Sequence, residues 1–173
     1  MANVKISELN EATTLDGTED FVLVQGGETV RLDADNIFAD MQTVKTVKVT
    51  LSSAQILTLG TPLAVIVAPG ANKFIDVLGV KFNLRGGTTP YDTNTSIQMF
   101  LGTPSTVAVT NSISSFFAAT DSFAKPALPV LTAVSTIKSN YENQALNVFT
   151  SGGNPANGDA ALDIYITYQI ITL

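Results

Sequence analysis

From residue 42 onward, apolar and polar side chains alternate with the two-residue period of a β-strand. Val47, Val49 and Leu51 alternate with Lys48, Thr50 and Ser52, the pattern of a strand buried on one face. Leu78, Val80, Phe82 and Leu84 face one way and Gly79, Lys81, Asn83 and Arg85 the other, until Gly86-Gly87 turns the chain. The unbroken run Leu63-Ala64-Val65-Ile66-Val67 predicts a fully buried strand ended by Pro69-Gly70. Ile97, Met99 and Leu101 mark another strand, and 113–119, 130–137 and 145–149 are further candidates. Residues 151–159 read as a loop. Leu162, Ile164, Ile166, Tyr168 and Ile170 then alternate with Asp163, Tyr165, Thr167 and Gln169 in a long final strand, which the apolar ending at Leu173 marks as central. Turn signals recur about every ten residues, which points to a sandwich or jelly roll. The helical signal in this stretch is weak and confined to 52–57.

The first part of the chain follows a different pattern. Val4 to Leu9 reads as a strand. Phe21-Val22-Leu23-Val24 and Thr29-Val30-Arg31-Leu32 flank Gln25-Gly26-Gly27-Glu28, a β-hairpin with a tight turn. Asp33 or Asp35 then caps a short helix over 36–41, since a side-chain oxygen there satisfies free N–H groups. The expected organisation is therefore an N-terminal arm of hairpin plus short helix, residues 1–41, and an all-β, jelly-roll-like antiparallel sandwich, residues 42–173.

Charge sharpens that division. Nine of the 15 carboxylates fall in the first forty residues against only Lys5 and Arg31, a local charge of −7. The other 133 residues hold seven cations and six carboxylates, a charge of +1. Charged residues are 14% of the chain, against about 25% in ordinary soluble domains. A surface so poor in charge implies that much of it meets other protein. The apolar run at 63–68 is too short to span a bilayer, and no membrane partner is expected. No cationic start with an apolar stretch follows the pattern of a signal peptide. The net charge of −6, with no basic stripe, argues against nucleic acid.

Composition also narrows the chemistry. The chain contains no cysteine, histidine or tryptophan, so thiolate chemistry and the usual general base near neutral pH are absent. Asp33-Ala34-Asp35-Asn36 starts like a calcium loop, but Ile37, Phe38 and Val44 stand where an oxygen ligand, glycine and glutamate are needed. Asp159 and Asp163 flank the start of the last strand, while Asp121 and Glu142 are isolated; these read as solvated strand-end acids rather than a glycosidase pair. Gly86-Gly87 and Gly152-Gly153 read as loop tips, not phosphate cradles. We expect no enzyme, no cofactor and no metal site. The polar loop carrying Tyr91, Asp92 and Asn94 is the candidate receptor-facing surface, against the plainer and favoured reading that Tyr91 folds over the sandwich end.

Lys5-Ile6-Ser7-Glu8-Leu9, Ala12-Thr13-Thr14-Leu15-Asp16-Gly17-Thr18-Glu19, Val24-Gln25-Gly26-Gly27-Glu28-Thr29 and Ile37 together resemble the N-terminal segment shared by many tailed-phage virion proteins. That segment is common on tail fibres, head fibres and related appendages, and often has proline where this chain has Asn10. Leu51-Ser52-Ser53-Ala54-Gln55-Ile56-Leu57-Thr58-Leu59, Thr61-Pro62, Ala68-Pro69-Gly70-Ala71-Asn72-Lys73 and Tyr91-Asp92-Thr93-Asn94-Thr95 resemble a β domain of small phage structural proteins, extending the likeness to about residue 101. The resemblance implies a virion part, often trimeric, assembled in the host cytoplasm. It leaves head or tail open. With the charge split, it yields the expectation of a homotrimeric head fibre, decoration protein or short fibre. The arm would be anchored to a capsid, portal, neck or tail protein through Ile6, Leu9, Leu15, Phe21, Val24, Ile37 and Phe38. The alternative is a tail fibre or spike domain that binds a host surface receptor or glycan.

Overall fold

The computed structural model describes residues 20–25, 28–33, 44–103, 107–126 and 137–173. The chain divides into two compact units, Met1–Gln42 and Thr43–Leu173. In the first, β1 (Asp20–Gln25) pairs antiparallel with β2 (Glu28–Asp33), from Asp20 opposite Asp33 to Gln25 opposite Glu28. This is the expected hairpin. The expected strand at Val4 to Leu9 and helix over 36–41 lie outside the described residues.

The second unit is an antiparallel β-sandwich. Its long sheet has the order β3 (Lys45–Leu51), β12 (Ala161–Thr172), β5 (Lys73–Arg85), β9 (Ser122–Ala124). The short sheet has the order β4 (Leu63–Ile66), β10 (Leu146–Phe149), β7 (Gln98–Leu101), β8 (Val107–Ala108). A small pair, β6 (Tyr91–Asp92) with β11 (Ala156–Asn157), closes one end. Leaving that pair aside, the remaining strands couple first with last, second with second-to-last, and so inward: β3 with β12, β4 with β10, β5 with β9, β7 with β8. The two layers are thus built from nested antiparallel pairs.

The core lies between the two sheets. Leu162, Ile164 and Ile166 of β12 are fully buried with Val80, Phe82 and Leu84 of β5, facing Met99, Leu101, Leu146 and Val148 of the short sheet. The final strand is internal, as its apolar pattern predicts, flanked by β3 and β5. Next to β3, the single-turn helix α1 (Ser53–Ile56) exists because Ser52 and Gln55 form a reciprocal capping box. The Ser52 amide donates to Gln55 Oε1 at 2.9 Å and the Gln55 amide to Ser52 Oγ at 3.3 Å. The turn delivers Ile56 and Leu59 to the core.

Three expectations are corrected. The inward set of β5 is not one unbroken alternation. Between Thr167 opposite Gly79 and Tyr168 opposite Val77 the register slips by one residue, leaving Leu78 as an exposed bulge. The strand therefore begins at Lys73, and Ile75 turns inward below the bulge. The run at 63–67 forms an edge strand instead of a fully buried one: β4 has a single neighbour, and Val67 is 79% exposed. Residues 113–119 are not a strand. After one bridge, Ile113 to Ile97, Ser115 takes φ 58° and a 3₁₀ turn, η1 (Phe116–Ala118), follows. Consecutive residues of a strand point to opposite faces. The turn instead buries both Phe116 and Phe117, their rings 5.3 Å apart. Of the expected strand at 130–137, only Ile137 is among the described residues, leading into a second 3₁₀ turn, η2 (Lys138–Asn140). The strand expected over 145–149 is β10.

Candidate functional site

With one face of the long sheet spent on the core, the other carries the unit's polar chemistry. Across it, Asp163 sits opposite Thr50 and Asn83, and Tyr165 sits opposite Lys48 and Lys81. Phe123 of β9 lies beside Asn83. Thr46, Gly79, Lys81, Asn83, Phe123, Lys125, Tyr165 and Thr167 line a groove of about 440 Å³. Phe123 is 67% exposed, an unusual position for phenylalanine on a single-layer face. Gly79 forms the floor, where the nearest atom to an added Cβ would be the Thr167 Cβ at 4.0 Å.

One end of this face is closed by a charge cluster. Asp163 is buried, and the expectation of a solvated strand-end acid is corrected for it. Arg85 Nε donates to Asp163 Oδ2 at 2.7 Å, Lys48 Nζ lies 2.9 Å from the same oxygen, and Thr50 donates to Oδ1 at 2.7 Å. Hydrogen bonding by Arg85 outweighs desolvation and, with Thr50 and Lys48, holds the Asp163 carboxyl well below the usual carboxylate range. The same contact pushes the Arg85 guanidinium up. Lys48 also lies 5.7 Å from the centre of the Tyr165 ring, within cation–π range. Two cations thus share one carboxylate here. Lys81 and Lys125 have no carboxylate partner among the described residues, so the groove carries two cations without a paired acid in a protein of net charge −6.

In the candidate receptor loop, Tyr91 adopts the plainer, favoured arrangement. Tyr91 is 1% exposed; its hydroxyl donates to the Ala160 carbonyl at 2.6 Å and its ring meets Phe117 at 5.5 Å. It is closed over the sandwich end, because the small pair β6–β11 draws it under Gly158. Burial and then the Asp159 charge push its hydroxyl pKa up to about 12. Asp92 is exposed and accepts from Asn157 Nδ2 at 2.7 Å. Asn94, at φ 44°, donates to the Asn154 carbonyl at 2.9 Å and ties this loop to the one at 151–154. Asp159 accepts from the Thr88 hydroxyl and from the Thr88 and Thr89 amides, which lower its pKa. Glu142 accepts from the Asn72 amide at 2.7 Å and pairs with Lys138 at 3.4 Å. Among the described residues, no three acidic side chains converge as a metal cage.

Of the proposed anchor residues, Phe21 lies in β1 opposite Leu32 and Val24 opposite Thr29; Ile6, Leu9, Leu15, Ile37 and Phe38 lie outside the described residues. The groove escaped sequence reasoning, although Gly79, Lys81 and Asn83 were placed on the polar side of their strand. The missing information was register, which sets lysines on both sides of Tyr165. No protein-family model and no curated protein matches the chain. Among solved structures it is similar to a chain of the cyanophage Pam1 capsid asymmetric unit, with a TM-score of 0.42 and 19% identity over 98% of this chain and 99% of that one.

Proposed function

We propose that this chain is a non-enzymatic structural protein of a tailed-phage virion. It is a homotrimeric head fibre, decoration protein or short fibre whose segment 1–41 anchors it to another virion component. The observation that carries this reading is the coincidence of two boundaries. The charge pattern changes near residue 40, from −7 to an almost uncharged body, and compactness divides the chain between Gln42 and Thr43. An acidic segment joined to a separately packed, charge-poor sandwich suits docking at one end and contact between neighbours at the other. Charge complementarity at the docking end would set approach and register more than raw affinity. The exposed Val67, Val44 and Leu78 give the body apolar surface of the kind that copies or neighbours cover.

Deletion of residues 1–41 tests the anchor. The expected product is a folded, soluble body that no longer joins particles; an arm-less protein that still decorates them would overturn the assignment. Light scattering tests the assembly, with three times the 18.2 kDa chain mass expected for the full-length protein. A stable monomer at micromolar concentration would refute a preformed trimer.

The second reading is a spike domain binding a host surface receptor or glycan. The open groove beside Phe123 and Tyr165 favours it, as does the exposed Asp92. Loss of cell binding on changing 86–95 would place recognition at the sandwich end. Loss on filling the groove would place it on the long sheet.

A further inference from the structure

The geometry points to a binding site for an acidic saccharide in the groove on the outer face of the long sheet. We propose that the groove takes one or two sugar rings bearing carboxylate groups, which deepens the second reading above and rests on it only in requiring that this face be open to solvent. Four features converge there. First, the lysines are placed against electrostatic preference. Lys48 and Lys81 stand on either side of Tyr165, and Lys125, one residue beyond Ala124, lines the same groove as Lys81. Like charges gathered on one face repel unless an anion lies between them. Asp163 answers Lys48 and Arg85 only, and the exposed Asp121 precedes β9 at the Arg85 end. Lys81 and Lys125 have no such partner among the described residues.

Second, Tyr165 and Phe123 offer rings to the groove from the two strands flanking β5, and Phe123 remains mostly in water. A sugar presents C–H faces that lie flat on such rings, while its rim needs polar partners. Third, Asn83, Thr46 and Thr167 line the groove and supply donors and acceptors for ring hydroxyls. The Thr46 and Thr167 hydroxyls are already 3.2 Å apart. Fourth, the volume of about 440 Å³ falls within the ordinary range for small-molecule pockets, and the bare floor at Gly79 provides the depth. An extended acidic peptide is the less suitable occupant. At the centre of the groove β12 is paired on both sides, by β3 and β5, so a peptide lying over Tyr165 would meet no open strand edge; the edge strands of this sheet are β3 and β9.

The test uses the full-length protein and calorimetric titration with trigalacturonate. Maltotriose serves as the neutral sugar, hexaglutamate as the acidic peptide and inorganic sulfate as the simple anion. Trigalacturonate is expected to bind at least tenfold more tightly than any of the three, and to weaken several-fold as salt rises. Joint replacement Lys81→Gln with Lys125→Gln should weaken it at least tenfold. Gly79→Gln, which fills the floor, should abolish it with an unchanged melting temperature. Lys138→Gln, on η2 away from the groove, should leave it intact. Absence of trigalacturonate binding overturns the proposal. So does binding that survives the double lysine variant, or sulfate or hexaglutamate binding as tight as the sugar. Particle decoration, measured separately with the same variants, is expected to be unchanged; a failed titration with intact decoration removes this site and leaves the structural role standing.

Discussion

Asp163 shows how much one side chain can carry in a charge-poor fold. Its carboxylate is 2% exposed, whereas its partners Lys48 and Arg85 remain 45% and 50% exposed. Removing one partner of a fully buried pair costs about 3–5 kcal/mol. Because both cations keep half their surface in water, Asp163→Asn should cost about 2 kcal/mol, read by urea denaturation. The carboxyl titrates lower when folded than when unfolded, so its stabilisation is complete above the unfolded value near pH 4. It is lost as pH falls toward the folded value. The wild type should therefore lose stability progressively from about pH 5 downward, and the asparagine variant should show a shallower loss. Tyr91 gives a second residue-scale prediction. It should ionise near pH 12, and Tyr91→Phe should remove that phase from an ultraviolet titration. The same variant should lose about 1 kcal/mol, since the Ala160 carbonyl loses its donor. The closure of Tyr91 over the sandwich end was the favoured reading of the sequence, whereas the role of Asp163 was not legible. Asp163 sits among apolar neighbours, and its partners Thr50 and Arg85 are 113 and 78 residues away along the chain.

Among the elements, β5 is the most informative. Its bulge at Leu78 lets one strand satisfy two different alternations, with Val80, Phe82 and Leu84 inward above it and Ile75 inward below. Deleting Leu78 would restore a regular ladder and leave Ile75 inward, because Gly79 opposite Thr167 and Val77 opposite Tyr168 would become consecutive. The deletion should therefore leave the protein soluble and folded, and both it and Leu78→Ala should cost under about 1 kcal/mol, measured by denaturation and solubility. Strict alternation along β12 and the Ser52/Gln55 capping box were readable, because each depends on residues close in sequence. The edge position of β4 was not readable, since an unbroken apolar run looks the same at an edge as in a sheet centre. The 3₁₀ turn at Phe116 and Phe117 was hidden for a related reason. Its cause is packing against Phe82 and Tyr91, at 5.8 Å and 5.5 Å, rather than any local turn signal.

For the whole molecule, the nested pairing order means that the body's first and last strands, β3 and β12, must find each other across the full length of the unit. Contacts so distant in sequence carry a high loop-closure cost. Refolding of the chain from urea should therefore take milliseconds to seconds, and a microsecond phase accounting for the whole amplitude would contradict this topology. The side-by-side placement of those two strands has a practical outcome for engineering. Lys45 is opposite Tyr168, so residue 44 and Leu173 emerge at one pole of the sandwich, while Gly152-Gly153 belongs to the turns at the other. Twelve residues of β12 separate the poles by roughly 35 Å. A fluorescent tag appended after Leu173 would sit beside the point where the chain enters the sandwich, whereas an epitope spliced between Gly152 and Gly153 would be carried on the opposite tip.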